Sequence, residues 1–144
     1  MNYQIVVDPS KQDIDDVLVG LRAFNDPFVD HIKETHIGMY AVDEKGIRVG
    51  GIVSRLWGNW MYIRFLWVEP SLSGKGIGQT LMEKMEAYAI EQGCHSSMVD
   101  TFSFQAKPFY EKLGYECKMS LDEYPIEHQL HFLTKHFTKD FTKD

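Results

Sequence analysis

The sequence predicts a mixed α/β fold in which helices pack on a sheet. Two observations carry this prediction. Apolar residues recur at helical spacing around Val17 and around Leu81, and these runs end near Pro27 and Gly93. The rest of the chain holds β-branched and aromatic runs joined by short turns, which are typical of strands. Strands and helices therefore mix along the whole chain.

The first elements are a strand at Tyr3–Val7 and an amphipathic helix. Ser10 and Asp13 have the spacing of a capping box, which predicts that the helix begins after Ser10. Residues 25–27, Asn-Asp-Pro, predict its end, and a second short helix or ordered loop follows at 28–33. The helical spacing is carried by Ile14, Val17, Leu18, Leu21 and Phe24.

A run of hairpins follows. Strands are predicted at His36–Val42 and Ile47–Leu56, with a turn at Asp43–Gly46 between them. Gly58-Asn59 makes the next turn, and Trp60–Val68 is a long strand rich in aromatic and β-branched residues.

The second half alternates helices and strands. Glu69–Gly76 is predicted as a loop, and a helix runs from Ile77 to a stop at Gly93. Its apolar row is Ile77, Leu81, Met85 and Ala89. The remaining elements are a strand at His95–Thr101, a short helix at Gln105–Leu113, and strands at Tyr115–Leu121 and His128–Phe137.

Length and composition indicate one globular domain. The chain has 144 residues, and we expect a single domain at 1–137 followed by a short tail at 138–144, where the motif Phe-Thr-Lys-Asp is repeated. Its apolar runs fall far short of the roughly 20 residues that cross a bilayer, and we find no signal peptide. We therefore expect a soluble, cytoplasmic protein that does not bind membranes.

The net charge and the spacing of the Cys and His residues argue against several classes of function. The net charge is -6 without a basic cluster, which argues against nucleic acid and suits a cationic substrate such as an amine. Cys94 and Cys117 lie far apart, so reduced buried thiols are expected. His128, His131 and His136 do not have a metal-ligand spacing, and no metal is predicted.

The glycine loop at the head of the second long helix is the most informative segment. Gly74, Gly76 and Gly78 follow a strand and precede a helix, whose start offers about four unpaired backbone amides. Glycines let an anion approach such amides, so the pattern predicts a phosphate or pyrophosphate site. The spacing fits neither a Walker loop nor a dinucleotide fingerprint. A glycine-rich connection without a ligand stays open at this point.

Two segments resemble signatures of the GNAT superfamily of N-acetyltransferases. Residues 73–78, Ser-Gly-Lys-Gly-Ile-Gly, are similar to its loop Q/R-x-x-G-x-G/A, and residues 106–115 to its motif A-x-x-F-Y-x-x-x-G-F/Y. The resemblance implies a mixed, mostly antiparallel sheet of about seven strands with about four helices and a splayed central strand pair. It also implies acetyl-CoA as the acyl donor.

The resemblance further implies how acetyl-CoA is held. Backbone groups of Leu66, Trp67 and Val68 would pair with the pantetheine arm, as an added strand does. Amides from Gly74 to Gly78 would hold the pyrophosphate. Two residues depart from the family, because Ser73 stands where it has Gln or Arg and Ser103 where many members have Asn. The cofactor-binding residues thus predicted are Leu66, Trp67, Val68, Ser73, Gly74, Lys75, Gly76, Ile77, Gly78, Ser103 and Phe109.

The chemistry needs a proton acceptor and a proton donor. An alkylamine with a pKa near 10 must lose a proton before it attacks a thioester, and Glu69 or Asp100 could take it. Glu69 could equally be a solvated loop carboxylate, and Asp100 a turn or cap residue. The resemblance makes Tyr110 the donor to the leaving thiolate, and we expect the backbone N–H near Trp67 to stabilise the oxyanion.

The acceptor is predicted only as a primary amine of a small molecule or peptide. Candidate residues are Asn25, Asp26, Asp30, Glu34, Asp122, Glu123, Tyr124 and His128, although surface acids are usually just solvated. The resemblance is compatible with a homodimer through the late strands, and the oligomeric state stays open at this point. The main alternative function is a non-catalytic acyl-CoA-binding or regulatory module, and a structural domain without a cofactor is a third reading.

Overall fold

A computed structural model describes residues 1–137, which divide into two compact units. The first unit is Met1–Lys33, and the second begins at Glu34. The predicted tail at 138–144 lies outside the described residues. Among the helices described, none combines the length and the hydropathy that a bilayer crossing requires.

The first unit contains helix α1, Lys11–Val29. The predicted capping box is confirmed: Ser10 Oγ accepts from the Asp13 amide at 3.1 Å, and Asp13 Oδ2 accepts from the Ser10 amide at 2.9 Å. The predicted end at residues 25–27 is wrong, because α1 continues through Pro27. Pro27 lies in the last turn, where its missing amide removes only one helical hydrogen bond.

The predicted strand at Tyr3–Val7 is also wrong. This segment has no regular secondary structure and joins no strand ladder. Its alternating apolar residues are compatible with a strand, yet a strand exists only where its backbone pairs with a neighbour. The local pattern could not supply that partner.

The second unit contains a six-stranded sheet, in the order β1-β2-β3-β4-β6-β5. Only β3 and β4 pair in parallel, so the predicted mixed, mostly antiparallel sheet is confirmed. The described residues form one strand and one α-helix fewer than predicted. The elements are β1 Glu34–Val42, β2 Arg48–Trp57, β3 Trp60–Val68, a 3₁₀ turn Pro70–Leu72, α2 Ile77–Glu91, β4 Ser96–Phe102, α3 Lys107–Lys112, β5 Glu116–Leu121 and β6 Leu130–His136.

The core lies between α2 and one face of this sheet. The predicted apolar row of α2 is confirmed, since Leu81, Met85 and Ala89 are buried and Ile77 packs against them. Alternate residues of β2 are buried on the same side, as a half-buried strand requires. The sheet residues that complete the core include Ile52, Leu56, Met61, Ile63, Val99 and Leu133.

A bulge in β3 positions the site. Ser54 pairs with Ile63 and Val53 pairs with Phe65, so Arg64 is an extra residue without a partner on β2. Parallel pairing of β3 with β4 stops at the same place, with Ile63 opposite Val99 as its last pair. The two central strands separate beyond that pair, which confirms the predicted splay.

Candidate active site

A cavity of about 320 Å³ lies where β3 and β4 separate. The predicted residues Leu66, Trp67, Asp100 and Tyr110 all line it. Residues from β3, from the end of β4 and from α3 thus meet at one gap. The bulge and the splay create this gap, because a regular β3–β4 ladder would fill it with backbone hydrogen bonds.

The edge of β3 that faces the gap is open for pairing. Beyond Ile63 no residue of β3 pairs with β4 in the described structure, so backbone groups of this stretch remain free on that side. An extended chain that carries amides could add here as a strand. Leu66 and Trp67 line the gap, whereas Val68 packs against the core.

The glycine loop forms an open turn at the start of α2. Gly74 and Gly76 have φ values of +79° and +80°, which side chains disfavour, and no heavy atom lies within 4 Å of a Cβ built on either. Among the described residues no side chain caps α2, and its first helical hydrogen bond joins the Thr80 amide to the Gly76 carbonyl at 3.0 Å. The preceding amides are therefore available to an anion.

Gly78 has a different role from the other two glycines. A Cβ at Gly78 would lie 3.3 Å from Cζ of Phe109, so this glycine lets α2 and α3 approach each other. The predicted residue Phe109 also touches the Tyr110 ring, with ring centroids 5.2 Å apart. Gly78 therefore couples the loop to the helix that carries Tyr110.

The other predicted loop residues have visible local contacts. The Ser73 amide donates to the Pro70 carbonyl at 3.1 Å, which leaves its hydroxyl as the donor it can offer a ligand. Lys75 is exposed beside Gly76 and Ile77, and together they line a second cavity of about 240 Å³. Ser103 exchanges hydrogen bonds with Gln129, which ties the end of β4 to the start of β6.

Tyr110 lies at the wall of the gap and is 6% exposed. Burial raises the pKa of Tyr110 to about 12, and the nearby carboxylate of Asp100 contributes to that rise. The phenol therefore keeps its proton at neutral pH, and the raised pKa makes it a weaker acid than a free phenol. A departing thiolate has an intrinsic pKa near 8.5, and desolvation in a buried site raises that pKa toward the pKa of the phenol, which reduces the cost of the proton transfer.

Asp100 is the acidic residue of the gap. Its Oδ1 accepts a hydrogen bond from the Tyr62 hydroxyl at 2.7 Å, and the pKa of Tyr62 is raised to about 12 by burial and by this carboxylate. Sequence reasoning missed Tyr62. Its contact with Asp100 depends on the parallel register of β3 and β4, which pairs Tyr62 with Met98 and which no local pattern reveals.

Glu69, the other candidate base, does not line the gap. Its carboxylate accepts from the amide of Ser71 at 2.8 Å and also from the Ser71 hydroxyl. It therefore caps the 3₁₀ turn that follows β3. The structure brings Asp100 and Tyr110 together and leaves Glu69 in the loop.

The predicted acceptor residues are dispersed. Asn25, Asp26 and Asp30 belong to the first unit, and Glu34 in the second unit is held by Arg55, whose hydrogen bonds lower its pKa. The others follow β5, where Asp122 accepts from Gln129 and His128 packs edge-on against Phe104. Within residues 1–137 no three His, Cys, Asp or Glu side chains are grouped so as to hold a metal, and the absence of a metal stays a prediction.

Comparison with known proteins identifies the family of the chain. The profile of the acetyltransferase (GNAT) family matches residues 7–115. The blasticidin-S acetyltransferase of Streptomyces morookaense is 38% identical over 97 residues, which cover 67% of this chain and 71% of that protein. The chain belongs to the GNAT acetyltransferase family. It is an acyltransferase that uses acetyl-CoA.

Solved structures share the fold. A crystal structure of an acetyltransferase from Bacillus cereus superimposes with a TM-score of 0.83 at 27% identity, over 92% of this chain and 97% of that one. An aminoglycoside 6'-N-acetyltransferase complexed with coenzyme A gives a TM-score of 0.64 at 20% identity, over 71% of this chain and 73% of that one. The predicted fold class and family are thus confirmed.

Proposed function

We propose that the chain transfers the acetyl group of acetyl-CoA to a primary amine of a small molecule, with Asp100 as proton acceptor and Tyr110 as proton donor. The observation that carries this proposal is that both side chains line the one gap between β3 and β4. Glu69 is not given this role, because its carboxylate already caps the turn at Ser71.

The open backbone of β3 and the glycine loop fit acetyl-CoA. Bound there, acetyl-CoA supplies an activated acyl group and a thiolate leaving group. Leu66 and Trp67 would pair with the amide-bearing arm through their backbone. The amides of the turn from Gly74 to Gly78 would hold the pyrophosphate, and Lys75 adds a positive charge beside them.

Asp100 is suited to the role of a base that accepts a proton from an ammonium ion. An alkylamine is about one part in a thousand neutral at pH 7, so a carboxylate in the gap both attracts the cation and removes its proton. The Tyr62 hydroxyl fixes one oxygen of Asp100 and leaves the other for the amine.

One relative supports a proposal for the class of the acceptor. The Streptomyces morookaense protein is named for blasticidin S, and this chain is 38% identical to it over 97 residues. We propose that the acceptor is an amine-bearing antibiotic or a molecule of that kind. Peptide amines are the second candidate and belong in the same test.

Acetyl transfer to a panel of amines tests the proposal. Blasticidin S, an aminoglycoside, a streptothricin, spermidine and an N-terminal peptide would each be incubated with acetyl-CoA, and acetylated product measured by mass spectrometry. If the released coenzyme A thiol is measured with a disulfide reagent, Cys117 would also react, because it is a free and only partly buried thiol. A Cys117→Ser variant would remove that background. We expect product with at least one small-molecule amine. Saturable binding of acetyl-CoA without any product would favour a non-catalytic module.

Two further expectations belong to this proposal. The chain would work in the cytoplasm, where free thiols such as Cys94 and Cys117 stay reduced. It would form a homodimer through the late strands, since β5 lies at the edge of the sheet and exposes Met119. Sedimentation velocity would distinguish the dimer from a monomer.

A further inference from the structure

Glu86 is a buried carboxylate outside the gap. It lies on the buried side of α2 with 9% of its surface exposed. A carboxylate in such a place is costly unless donors satisfy it. Tyr115 donates to its Oε2 at 2.8 Å, and Lys135 of β6 donates to its Oε1 at 2.8 Å. Both oxygens are thereby held.

Tyr115 extends this network to β4. Its hydroxyl lies 2.8 Å from Oγ of Ser97, which is fully buried. Because the Tyr115 proton goes to Glu86, the Ser97 hydroxyl donates to the phenol oxygen. Three elements, α2, β4 and β6, thus fix the position of one aromatic ring.

The Tyr115 ring in turn contacts Tyr110. The two rings pack edge-on with centroids 5.9 Å apart, and the Tyr115 amide donates to the Tyr110 carbonyl at 3.1 Å. Helix α3 has only six residues, and within the described chain no side chain caps its start. So short a helix is not stable by itself, and its placement depends on packing contacts such as these.

We infer that Glu86, Tyr115 and Lys135 form a positioning network that holds the Tyr110 phenol in place for proton donation. None of the three lines the gap, so they act through Tyr110 and not on the substrate. The inference rests on the proposed role of Tyr110. The partly buried ion pair of Glu86 and Lys135, which is by itself weak evidence for stability, is then explained by the orientation that it imposes.

A double-mutant cycle tests this inference. Tyr115→Phe keeps the ring and removes the hydroxyl, and it would be combined with Tyr110→Phe. The kcat of each variant would be measured with acetyl-CoA and the panel amine that the wild-type chain acetylates fastest. If the wild-type chain hydrolyses acetyl-CoA faster than it acetylates any amine, kcat would be measured for hydrolysis. We expect Tyr115→Phe to lower kcat about tenfold in the wild-type background, with the KM for acetyl-CoA unchanged, and to have no further effect in Tyr110→Phe. Glu86→Gln, which keeps the side-chain size, should repeat this pattern, and circular dichroism would verify folding.

The outcomes separate this inference from the proposed function. Equal losses of kcat from Tyr115→Phe in both backgrounds would mean that Tyr115 does not act through Tyr110, and the network proposal would fall. It would also fall if Tyr110→Phe lowers kcat whereas Tyr115→Phe and Glu86→Gln do not. An unchanged kcat in Tyr110→Phe would overturn the proposed role of Tyr110 and the network with it.

Discussion

Tyr110 shows how burial and one neighbouring charge prepare a side chain for proton transfer. Burial and Asp100 both favour the protonated phenol and raise its pKa to about 12. The same arrangement keeps a proton on Tyr110 beside the gap at neutral pH, which the proposed role of proton donor requires, although it also makes the phenol a weaker acid. The roles proposed for Asp100 and Tyr110 therefore differ although both side chains line one gap.

Replacing Tyr110 with Phe should remove the donor while keeping the ring. We expect kcat to fall about 100-fold, with the KM for acetyl-CoA nearly unchanged, because proton donation belongs to the transition state. Tyr88→Phe is a matched control, since Tyr88 is a partly buried tyrosine of α2 that does not line the gap. An equal loss in both variants would contradict a specific role for Tyr110.

The pH dependence of kcat provides a second test at this scale. Because the pKa of Tyr110 is raised, the phenol stays protonated and the wild-type kcat should not decline between about pH 8 and about pH 10. Asp100→Asn removes one cause of the raised pKa of Tyr110, so the alkaline decline of kcat should begin at lower pH than in the wild type. The same variant should also lower kcat at every pH, because it removes the proposed base. A wild-type decline near pH 10 would contradict this assignment.

The elements show which local signals specify structure. The turn glycines, the apolar row of α2 and the capping box at Ser10 are local, and each predicted the element that the structure contains. The contact of Tyr62 with Asp100 and the missing strand at Tyr3–Val7 depend on strand pairing, which residues close in sequence do not determine. Family signatures located Tyr110 and the glycine loop and implied a bulged, splayed central strand, but they did not identify Arg64 as the extra residue.

The glycine loop can be tested through its backbone conformation. Gly76→Ala places a Cβ at φ +80°, which costs about 1–2 kcal/mol and distorts the turn. We expect the Kd for acetyl-CoA to rise about tenfold, because the amides no longer point at one anion. Gly46→Ala is the matched control, since Gly46 has φ +81° in the turn between β1 and β2. Calorimetric titration of both variants would measure the difference, and equal Kd values would count against the loop.

Across the described residues, three buried or partly buried tyrosines hold their protons more firmly than a free phenol does. The pKa values of Tyr62 and Tyr110 are raised to about 12, and that of Tyr115 is raised further by burial and by Glu86. In the unfolded chain these phenols titrate near pH 10. The folded state therefore binds their protons more tightly, and this contribution to stability is complete below pH 10.

Stability should accordingly fall as pH rises from about 10 to about 12, because the unfolded state releases these protons first. Urea unfolding followed by circular dichroism at about pH 9 and about pH 11 would show the lower midpoint. Tyr62→Phe should weaken the pH dependence by removing one of the groups. A midpoint that is the same at both values would show that the phenols are not protected.

Because Arg64 is the extra residue of the bulge, its deletion should close the gap and preserve the fold. Phe65 already opposes Val53 and Ile63 already opposes Ser54, so removing Arg64 would leave every other side chain of β3 on its present face. The strand would become regular and could pair with β4 as far as Asp100, which would fill the gap that is the proposed acetyl-CoA site. We expect the deletion variant to fold with a near-native circular dichroism spectrum and to lose acetyl-CoA binding in calorimetry. Deletion of one residue would then abolish acetyl-CoA binding without unfolding the sheet.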